Sequence, residues 1–188
     1  MAKSKKKEAL LHASERLFYE HGFHGVGLKQ IIHEADTALM TLYNHFSSKE
    51  ALVEEVLRRR EERYWSYLDS HVEQEGEHPF VTVVKAHGDW LATESYKGDM
   101  FLRAIEDYAG TDNDIEHIAR SHKEKLLSYL RQLAKKVDEE NHEDAAHYLT
   151  LLLEGTTSMA TLIGAEQATA YARAIVEKMN TVPDEQRG

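Results

Sequence analysis

The chain has 188 residues, and a hydrophobic content of 41% is enough for a substantial buried core. It contains no cysteine, which excludes disulfides and thiolate metal sites, and no apolar run approaches the ~20 residues that a membrane-spanning helix needs. The net charge is −10, yet residues 1–50 hold seven Lys and Arg against six Asp and Glu. We therefore expect a cytoplasmic protein in which the acidic bulk faces away from any polyanionic partner.

Helix-forming residues dominate, and the only two prolines stand at positions 79 and 183, which predicts an all-α fold of about nine helices. A first helix is predicted over about residues 4–21, with Gly22 as its carboxy-terminal stop. Four lysines at its start are either a basic arm for DNA phosphates or a frayed, solubilising terminus: Lys3, Lys5, Lys6 and Lys7.

Two short amphipathic helices are predicted next, over about residues 28–35 and 38–46, with an interruption at Asp36 and Thr37. This pattern is typical of a helix-turn-helix, in which the second helix enters the major groove of DNA and the first lies across it. Asp tolerates the left-handed backbone conformation that such a turn requires. A capping box formed by Ser47 and Glu50 predicts that a new, long helix begins there.

That long helix is predicted to run to about residue 75, where Gly76 and Pro79 indicate a break. The rest of the chain is predicted to form five helices and a polar tail, with the helices over about residues 79–97, 100–108, 115–140, 142–164 and 165–180.

Three sequence patterns resemble the amino-terminal DNA-binding domain of the tetracycline-repressor (TetR) family of bacterial transcription regulators: Leu17-Phe18-x-x-x-Gly22-Phe23, Ile31-Ile32-x-x-Ala35, and Thr41-Leu42-Tyr43-x-His45-Phe46-x-x-Lys49-Glu50-x-Leu52. The resemblance covers about residues 8–57. It implies a three-helix DNA-binding domain in residues 1–50 and a helical effector-binding and dimerisation domain in residues 51–188. The chain departs from the family at Asp36, usually glycine, at Thr37, usually apolar, and at Met40, often glycine or proline.

Side chains that the helix-turn-helix does not need for packing are the candidates to contact DNA. Groove geometry selects four of them: Met40, Thr41, Asn44 and His45. The resemblance adds Lys29, Leu39 and Tyr43, although periodicity alone would bury the last two beside Leu42. Lys49 lies in the first turn of its helix, where free amides also favour a phosphate. The second helix of the helix-turn-helix has no arginine. We therefore expect sequence specificity to come from apolar contacts, from Lys29 and from DNA shape.

Residues 148–163 are apolar nearly all round, and Glu154 is their only charged residue. They form either a central core helix or a subunit interface. The resemblance implies the second, because family members pair two late helices of each chain in a four-helix bundle. The candidates for this interface are Leu152, Gly155, Thr156, Met159 and Ile163. A dimer also supplies two recognition helices about 34–36 Å apart, as a palindromic operator requires.

Residues 98–108 and 151–155 resemble, more loosely, the carboxy-terminal half of one TetR subgroup, which implies a small-molecule pocket. Its apolar candidates are Trp65, Trp90, Phe101, Tyr108, Tyr148 and Met159, and its candidate polar anchors are Arg103 and Glu106. The alternative interpretation is that the apolar residues are ordinary core residues and that Arg103 and Glu106 form a surface ion pair.

Twelve histidines raise the question of a metal or catalytic site. Two pairs on predicted helices, His117 with His122 and His142 with His147, are five residues apart and therefore about 140° apart around the helix. Because no catalytic motif occurs either, we expect no metal, no cofactor and no enzyme. The sequence predicts a homodimeric repressor that a small molecule releases from a palindromic double-stranded DNA operator. The alternative is a helical small-molecule carrier or interaction dimer without specific DNA binding.

Overall fold

The computed structural model of the chain describes residues 2–72 and 77–181, and side chains from residue 5 to residue 179 within these ranges. This described part contains nine α-helices and no strand, which confirms the predicted all-α fold. The helices are α1 (Ala2–His21), α2 (Leu28–Glu34), α3 (Leu39–Tyr43), α4 (Lys49–Val72), α5 (Pro79–Glu94), α6 (Met100–Asp107), α7 (Ile115–Val137), α8 (His142–Ile163) and α9 (Ala165–Thr181). Within the same ranges, no helix combines the length and the hydropathy needed to cross a membrane.

Two details at the helix starts differ from the prediction. The chain is already helical at Ala2, so the lysines belong to the first turns of α1 and not to an arm before it; the side chain of Lys3 lies outside the described residues. The cap of α4 is Ser48 and not Ser47, because the Ser48 hydroxyl accepts a hydrogen bond of 3.1 Å from the Ala51 amide. The predicted break at Gly76 lies outside the described residues.

The first of two compact units comprises Met1–Glu62 and Met100–His122. Its core is built from side chains of α1 to α4, α6 and the start of α7, among them the fully buried Leu10, Phe18, Ile31, Leu42, Leu52, Met100 and Ile115. Burial of these large apolar side chains is the main stabilising contribution. The unit therefore extends beyond residue 50, since residues 51–62 and 100–122 complete the core around the predicted helix-turn-helix.

The second unit comprises Arg63–Asp99 and Lys123–Gly188, and in it α5 packs against both α8 and α9. Gly88 marks a very close approach of two helices. A Cβ atom placed on Gly88 would lie only 2.1 Å from Oγ1 and 2.4 Å from Cγ2 of Thr169 on α9. Glycine is therefore required at this contact, and α5 and α9 pack backbone to side chain there.

Candidate nucleic-acid interface

The turn between α2 and α3 is made by Asp36, which has a positive φ of 43°. Among the described residues it is the one non-glycine with this conformation, so the expectation that Asp36 takes the role of a turn glycine is confirmed. The backbone amides of Asp36 and Thr37 donate to the carbonyls of His33 (3.2 Å) and Ile32 (3.0 Å). The Asp36 carbonyl accepts from Lys6 Nζ at 2.7 Å. The turn is therefore well satisfied despite the departure from glycine.

The inner side of the helix-turn-helix holds it to the core of the first unit. Ile31 of α2 and Leu42 of α3 are completely buried, and Phe46 is nearly so. At the start of α2 the Gly27 amide donates to Gln30 Oε1 at 2.8 Å, which satisfies one amide that the helix itself leaves free. With Leu42 fixed inward, the other side chains of the five-residue α3 project outward.

The outer side of α3 carries both apolar and polar side chains, and most of them are exposed. Leu39, Met40 and Tyr43 are 42%, 70% and 47% exposed, Asn44 is also exposed, and Thr41 and His45 are half-buried. Burial of Leu39 and Tyr43, the outcome that periodicity alone favoured, is therefore wrong. Lys29 and His33 are exposed one turn apart on α2. In the described structure, Gln30 bonds to the Gly27 amide and Glu34 pairs with Arg16, whereas the predicted contact residues and His33 make no hydrogen bond or ion pair: Lys29, His33, Thr41, Tyr43, Asn44 and His45. We call α2 and α3 with His45 the reading surface.

Lys49, predicted to bind a phosphate, already has a structural partner. Its Nζ donates to the Phe23 carbonyl at 2.7 Å and lies 5.9 Å from the centroid of the Phe18 ring. Burial lowers the pKa of Lys49, and the neighbouring Glu50 opposes that effect. This bond ties the loop after α1 to the start of α4. An ammonium has three N–H donors, so the bond to Phe23 leaves Lys49 with donors for a phosphate. That phosphate contact stays a prediction.

Lys7 is likewise engaged within the first unit. Its Nζ lies 2.5 Å from Glu55 Oε1 and 5.8 Å from the centroid of the Phe46 ring. Together with the bond from Lys6 to Asp36, this pairing fixes the first turns of α1 against the helix-turn-helix and α4. Sequence reasoning did not find these partners, because both lie 30 or more positions away along the chain.

On the second unit, α8 and α9 form an apolar groove with a volume of about 410 Å³. All five predicted interface residues line it, together with five others: Leu151, Ala168, Tyr171, Ala172 and Ile175. Leu151 is 70% exposed and Tyr171 60%. Exposed apolar side chains thus line both walls of the groove, from α8 and from α9. The predicted interface did not include the α9 side of the groove, although its residues recur at helical spacing: Ala168, Tyr171, Ala172 and Ile175.

The eight pocket candidates divide between the two units. In the first unit, Phe101 stacks on His122 at 3.7 Å between ring centroids, and Tyr108 packs edge-on against Phe23. Arg103 donates to the Tyr19 carbonyl at 2.9 Å and does not pair with Glu106, which is exposed. The alternative interpretation, a surface ion pair between Arg103 and Glu106, is therefore wrong.

In the second unit, Trp65 and Trp90 both lie edge-on to Tyr64, with ring centroids 5.4 Å and 5.3 Å away. Tyr148 is 55% exposed, and Met159 lies in the α8–α9 groove. Trp65 and Trp90 are thus the two candidates of this unit that share one aromatic cluster, and no described contact joins Tyr148 to it.

A hydrogen-bonded chain crosses the same aromatic cluster. The Tyr64 hydroxyl lies 3.1 Å from His87 Nδ1, and His87 Nε2 lies 2.9 Å from Thr157 Oγ1. Because Thr157 Oγ1 donates to the Leu153 carbonyl at 3.0 Å, it accepts from His87, which makes Nδ1 the acceptor for Tyr64. Burial, followed by the charges of Asp99 and Glu154, raises the pKa of the Tyr64 hydroxyl well above its ordinary value.

The carboxylates of Asp99 and Glu154 meet the ammonium of Lys123. Lys123 Nζ donates to Asp99 and lies 2.7 Å and 2.9 Å from the two oxygens of Glu154. Burial opposes the charge of Lys123, but the two carboxylates outweigh it and raise its pKa. The cluster fixes α7 to α8 inside the second unit. Among the described residues, no group of three His, Asp or Glu side chains has a geometry that could hold a metal ion.

Comparison with known proteins agrees with this geometry. Residues 10–56 match the family model for bacterial regulatory proteins of the tetR family. Over 54 residues, 29% of this chain, the sequence is 39% identical to the HTH-type transcriptional regulator UidR of Escherichia coli strain K12. The matching stretch spans 28% of UidR, so this chain matches little more than a quarter of that relative's length.

Solved structures are similar over almost the whole chain. SCO4454, a TetR-family transcriptional regulator from Streptomyces coelicolor, superposes with a TM-score of 0.86 at 23% identity, over 93% of this chain and 94% of that one. The reduced form of Escherichia coli NemR gives a TM-score of 0.77 at 19% identity, over 92% of this chain and 96% of that one. At these identities the similarity establishes the fold, in which a helix-turn-helix domain precedes a larger set of helices.

Proposed function

We propose, from the match of residues 10–56 to the model for the tetR family of bacterial regulatory proteins, that the protein is a dimeric transcriptional repressor that binds a palindromic DNA operator and leaves it when a small molecule binds. The observation that carries the proposal is the reading surface, on which Lys29, Tyr43 and Asn44 are exposed and make no hydrogen bond or ion pair in the described structure. The matched family and the named relative are regulators, not enzymes.

Binding to DNA is proposed to use the exposed side chains of α3 for bases and the flanking polar groups for phosphates. Asn44 can make a bidentate contact to adenine, and Leu39 and Met40 can contact thymine methyl groups. Lys29, Thr41, Tyr43, His45 and Lys49 are the proposed backbone or mixed contacts. Lys29 is the only lysine or arginine in residues 28–46, so apolar contact and DNA shape must supply much of the specificity.

A second copy of the chain is the proposed occupant of the α8–α9 groove. Leu152, Gly155, Thr156, Met159 and Ile163 would then lie at an interface between two subunits, with Gly155 allowing close approach of the helices. We expect Leu151→Glu or Ile175→Glu to convert the dimer to monomer, because each places a carboxylate in a buried apolar contact. Sedimentation equilibrium measures this conversion, with Val137→Glu as a control at an exposed valine outside the groove. A monomeric wild-type protein at micromolar concentration contradicts the proposed dimer.

The effector is proposed to bind within residues 51–188 and to favour a subunit arrangement that no longer fits the operator. Such a shift requires that the small molecule bind one arrangement more tightly than the other. Trp65 and Trp90 are the pocket candidates best placed to line one wall, because they share an aromatic cluster. Quenching of their fluorescence by a library compound, with Trp65→Phe and Trp90→Phe as the two comparisons, tests this assignment.

A carrier without DNA binding is the second candidate, and the absence of arginine from residues 28–46 favours it. The two functions differ in how affinity for duplex DNA depends on salt. A regulator releases counterions from phosphates, so the logarithm of its affinity falls by about 0.9 per phosphate contact for each tenfold rise in salt. Lys29→Ala should lower that slope by about one, with Lys97→Ala as a control outside the reading surface. A carrier shows no salt-dependent affinity.

The contact assignment has its own test. Tyr43→Phe removes one hydroxyl from the reading surface, and Lys49→Ala removes an ammonium that also supports the Phe23 loop. We expect both variants to lose affinity for an operator duplex, with Lys49→Ala also losing thermal stability. Unchanged affinity in both variants contradicts the assignment.

A further inference from the structure

We propose that His33 and His45 are titratable phosphate contacts of the reading surface, so that the affinity for DNA is coupled to proton uptake and falls as the pH rises from 6 to 8. This inference rests on the proposed DNA-binding function. It adds His33, which neither packing nor the resemblance assigned to DNA, and it gives His45 a specific chemistry.

Permanent positive charge is scarce on the reading surface. Lys6 and Lys7 are bonded to the Asp36 carbonyl and to Glu55, and Lys49 is bonded to the Phe23 carbonyl. Lys29 is the one lysine of α2 and α3. In the described structure, the reading surface therefore has one permanently positive side chain without a partner, Lys29. Proteins that bind DNA normally contact phosphates through several such side chains.

The two imidazoles both lie on the reading surface. His33 lies one turn after Lys29 on the exposed side of α2, and His45 directly follows the exposed Asn44 at the end of α3. Neither side chain has a hydrogen bond or an ion pair in the described structure; His45 only approaches the Phe46 ring, at 6.2 Å between centroids. Both can therefore meet an external anion without breaking an internal contact.

Charged groups surround each imidazole. Near His33 are Lys29 and two acids, Glu34 and Asp36, and Glu34 is paired with Arg16 of α1 at 2.5 Å. Near His45 the start of α4 carries Lys49 and Glu50, and the pair of Lys7 with Glu55 lies beside Phe46. Since Glu34 and Glu55 are already neutralised by internal cations, a DNA phosphate would be a new anion for each imidazole.

The sign of the effect follows from linkage. An imidazole ordinarily titrates near pH 6.5, and a bound phosphate stabilises its protonated form. DNA binding then takes up protons, so affinity is greatest at low pH and declines as the pH rises through the raised titration range of the complex. One pKa unit of stabilisation corresponds to about a tenfold change in affinity for each histidine.

Fluorescence anisotropy of a labelled duplex, recovered from a random pool by selection with the protein at pH 6, tests the proposal at fixed ionic strength. We expect the Kd of the wild-type dimer to rise by well over tenfold from pH 6 to pH 8, because it presents four imidazoles, two per subunit, and each contributes up to about tenfold. The double variant His33→Gln/His45→Gln should give a nearly flat profile. His147→Gln, at an exposed histidine of α8, should keep the wild-type slope.

Calorimetry in buffers of different ionisation enthalpy gives a second readout, because it counts the protons taken up on binding. We expect the double variant to lose most of the proton uptake of the wild-type protein. A flat wild-type profile, or a double variant that keeps both the slope and the uptake, overturns the inference and leaves DNA binding intact. Failure to recover any duplex at pH 6 instead contradicts the proposed function.

Discussion

Replacement of Gly88 by alanine tests the packing of α5 on α9. The added Cβ atom would lie 2.1, 2.4 and 2.8 Å from Oγ1, Cγ2 and Cβ of Thr169. Thr169 cannot simply rotate away, because its Cβ is fixed to the backbone of α9 and its hydroxyl donates to the Ala165 carbonyl at 2.6 Å. One of the two helices must therefore move.

The magnitude follows from two opposing effects. Overpacking of a tight contact costs about 1–3 kcal/mol, or more where backbone must move, whereas alanine is favoured over glycine in a helix by about 1 kcal/mol. Because one helix must move, the cost lies at the upper end of that range, and we expect Gly88→Ala to lower the free energy of unfolding by about 2 kcal/mol. For a chain of this size that corresponds to a fall in Tm of roughly 4–8 °C.

Differential scanning calorimetry is the assay, and two further variants sharpen it. Gly155→Ala, compared in the Leu151→Glu background so that the proposed dimer does not contribute, places the same methyl group on α8, where nothing of the same subunit lies within 4 Å; the stability of the subunit should stay the same or rise by up to about 1 kcal/mol. The double variant Gly88→Ala/Thr169→Gly lacks the obstructing side chain. Alanine at position 88 should therefore cost less stability in the Thr169→Gly background than in the wild-type background. A Tm of Gly88→Ala at or above that of the wild-type protein refutes the close approach of α5 and α9.

Two other predictions concern charge. Lys123→Met should lower the free energy of unfolding by roughly 2 kcal/mol or more, because it leaves the carboxylates of Asp99 and Glu154 facing one another in a partly buried site. Chemical denaturation measures this loss. An unchanged denaturation midpoint would show that the cluster is not stabilising. Burial, followed by the charges of Glu50 and Asp107, raises the pKa of Tyr108 to about 12, so stability should fall between pH 10 and pH 12 as the unfolded chain ionises first. Tyr108→Phe should weaken that fall, and a variant with the wild-type pH profile would contradict it.

Much of the fold could be predicted from the sequence because its signals are local. Helical periodicity and glycine or proline punctuation gave nine helices with bounds within three residues for most of them. The conformation of Asp36 followed from its position, where the TetR family usually has glycine, and from the tolerance of Asp for a left-handed backbone. Ser48 in place of Ser47 as the cap of α4 shows the limit of such reasoning, since two adjacent serines offer the same hydroxyl and only the path of the chain selects one.

The missing parts of the site depend on contacts between residues far apart in the sequence. The bond from Lys49 to the Phe23 carbonyl spans 26 positions, and no pattern within α4 announces it. The alternative interpretation paired Arg103 with Glu106, but the Arg103 guanidinium donates to the carbonyl of Tyr19 on α1. Interactions between distant elements thus decide which cations remain available on the reading surface.

Selection of bound duplexes from a random DNA pool, with the purified protein at moderate salt, is the decisive test of sequence-specific DNA binding. We expect enrichment of a palindrome whose half-sites are separated by about one turn of DNA, bound by two subunits. We also expect Asn44→Ala to lose about 1–3 kcal/mol of discrimination at one position in each half-site. Recovery of unenriched sequences by a folded, dimeric protein would contradict sequence-specific regulation and favour the carrier.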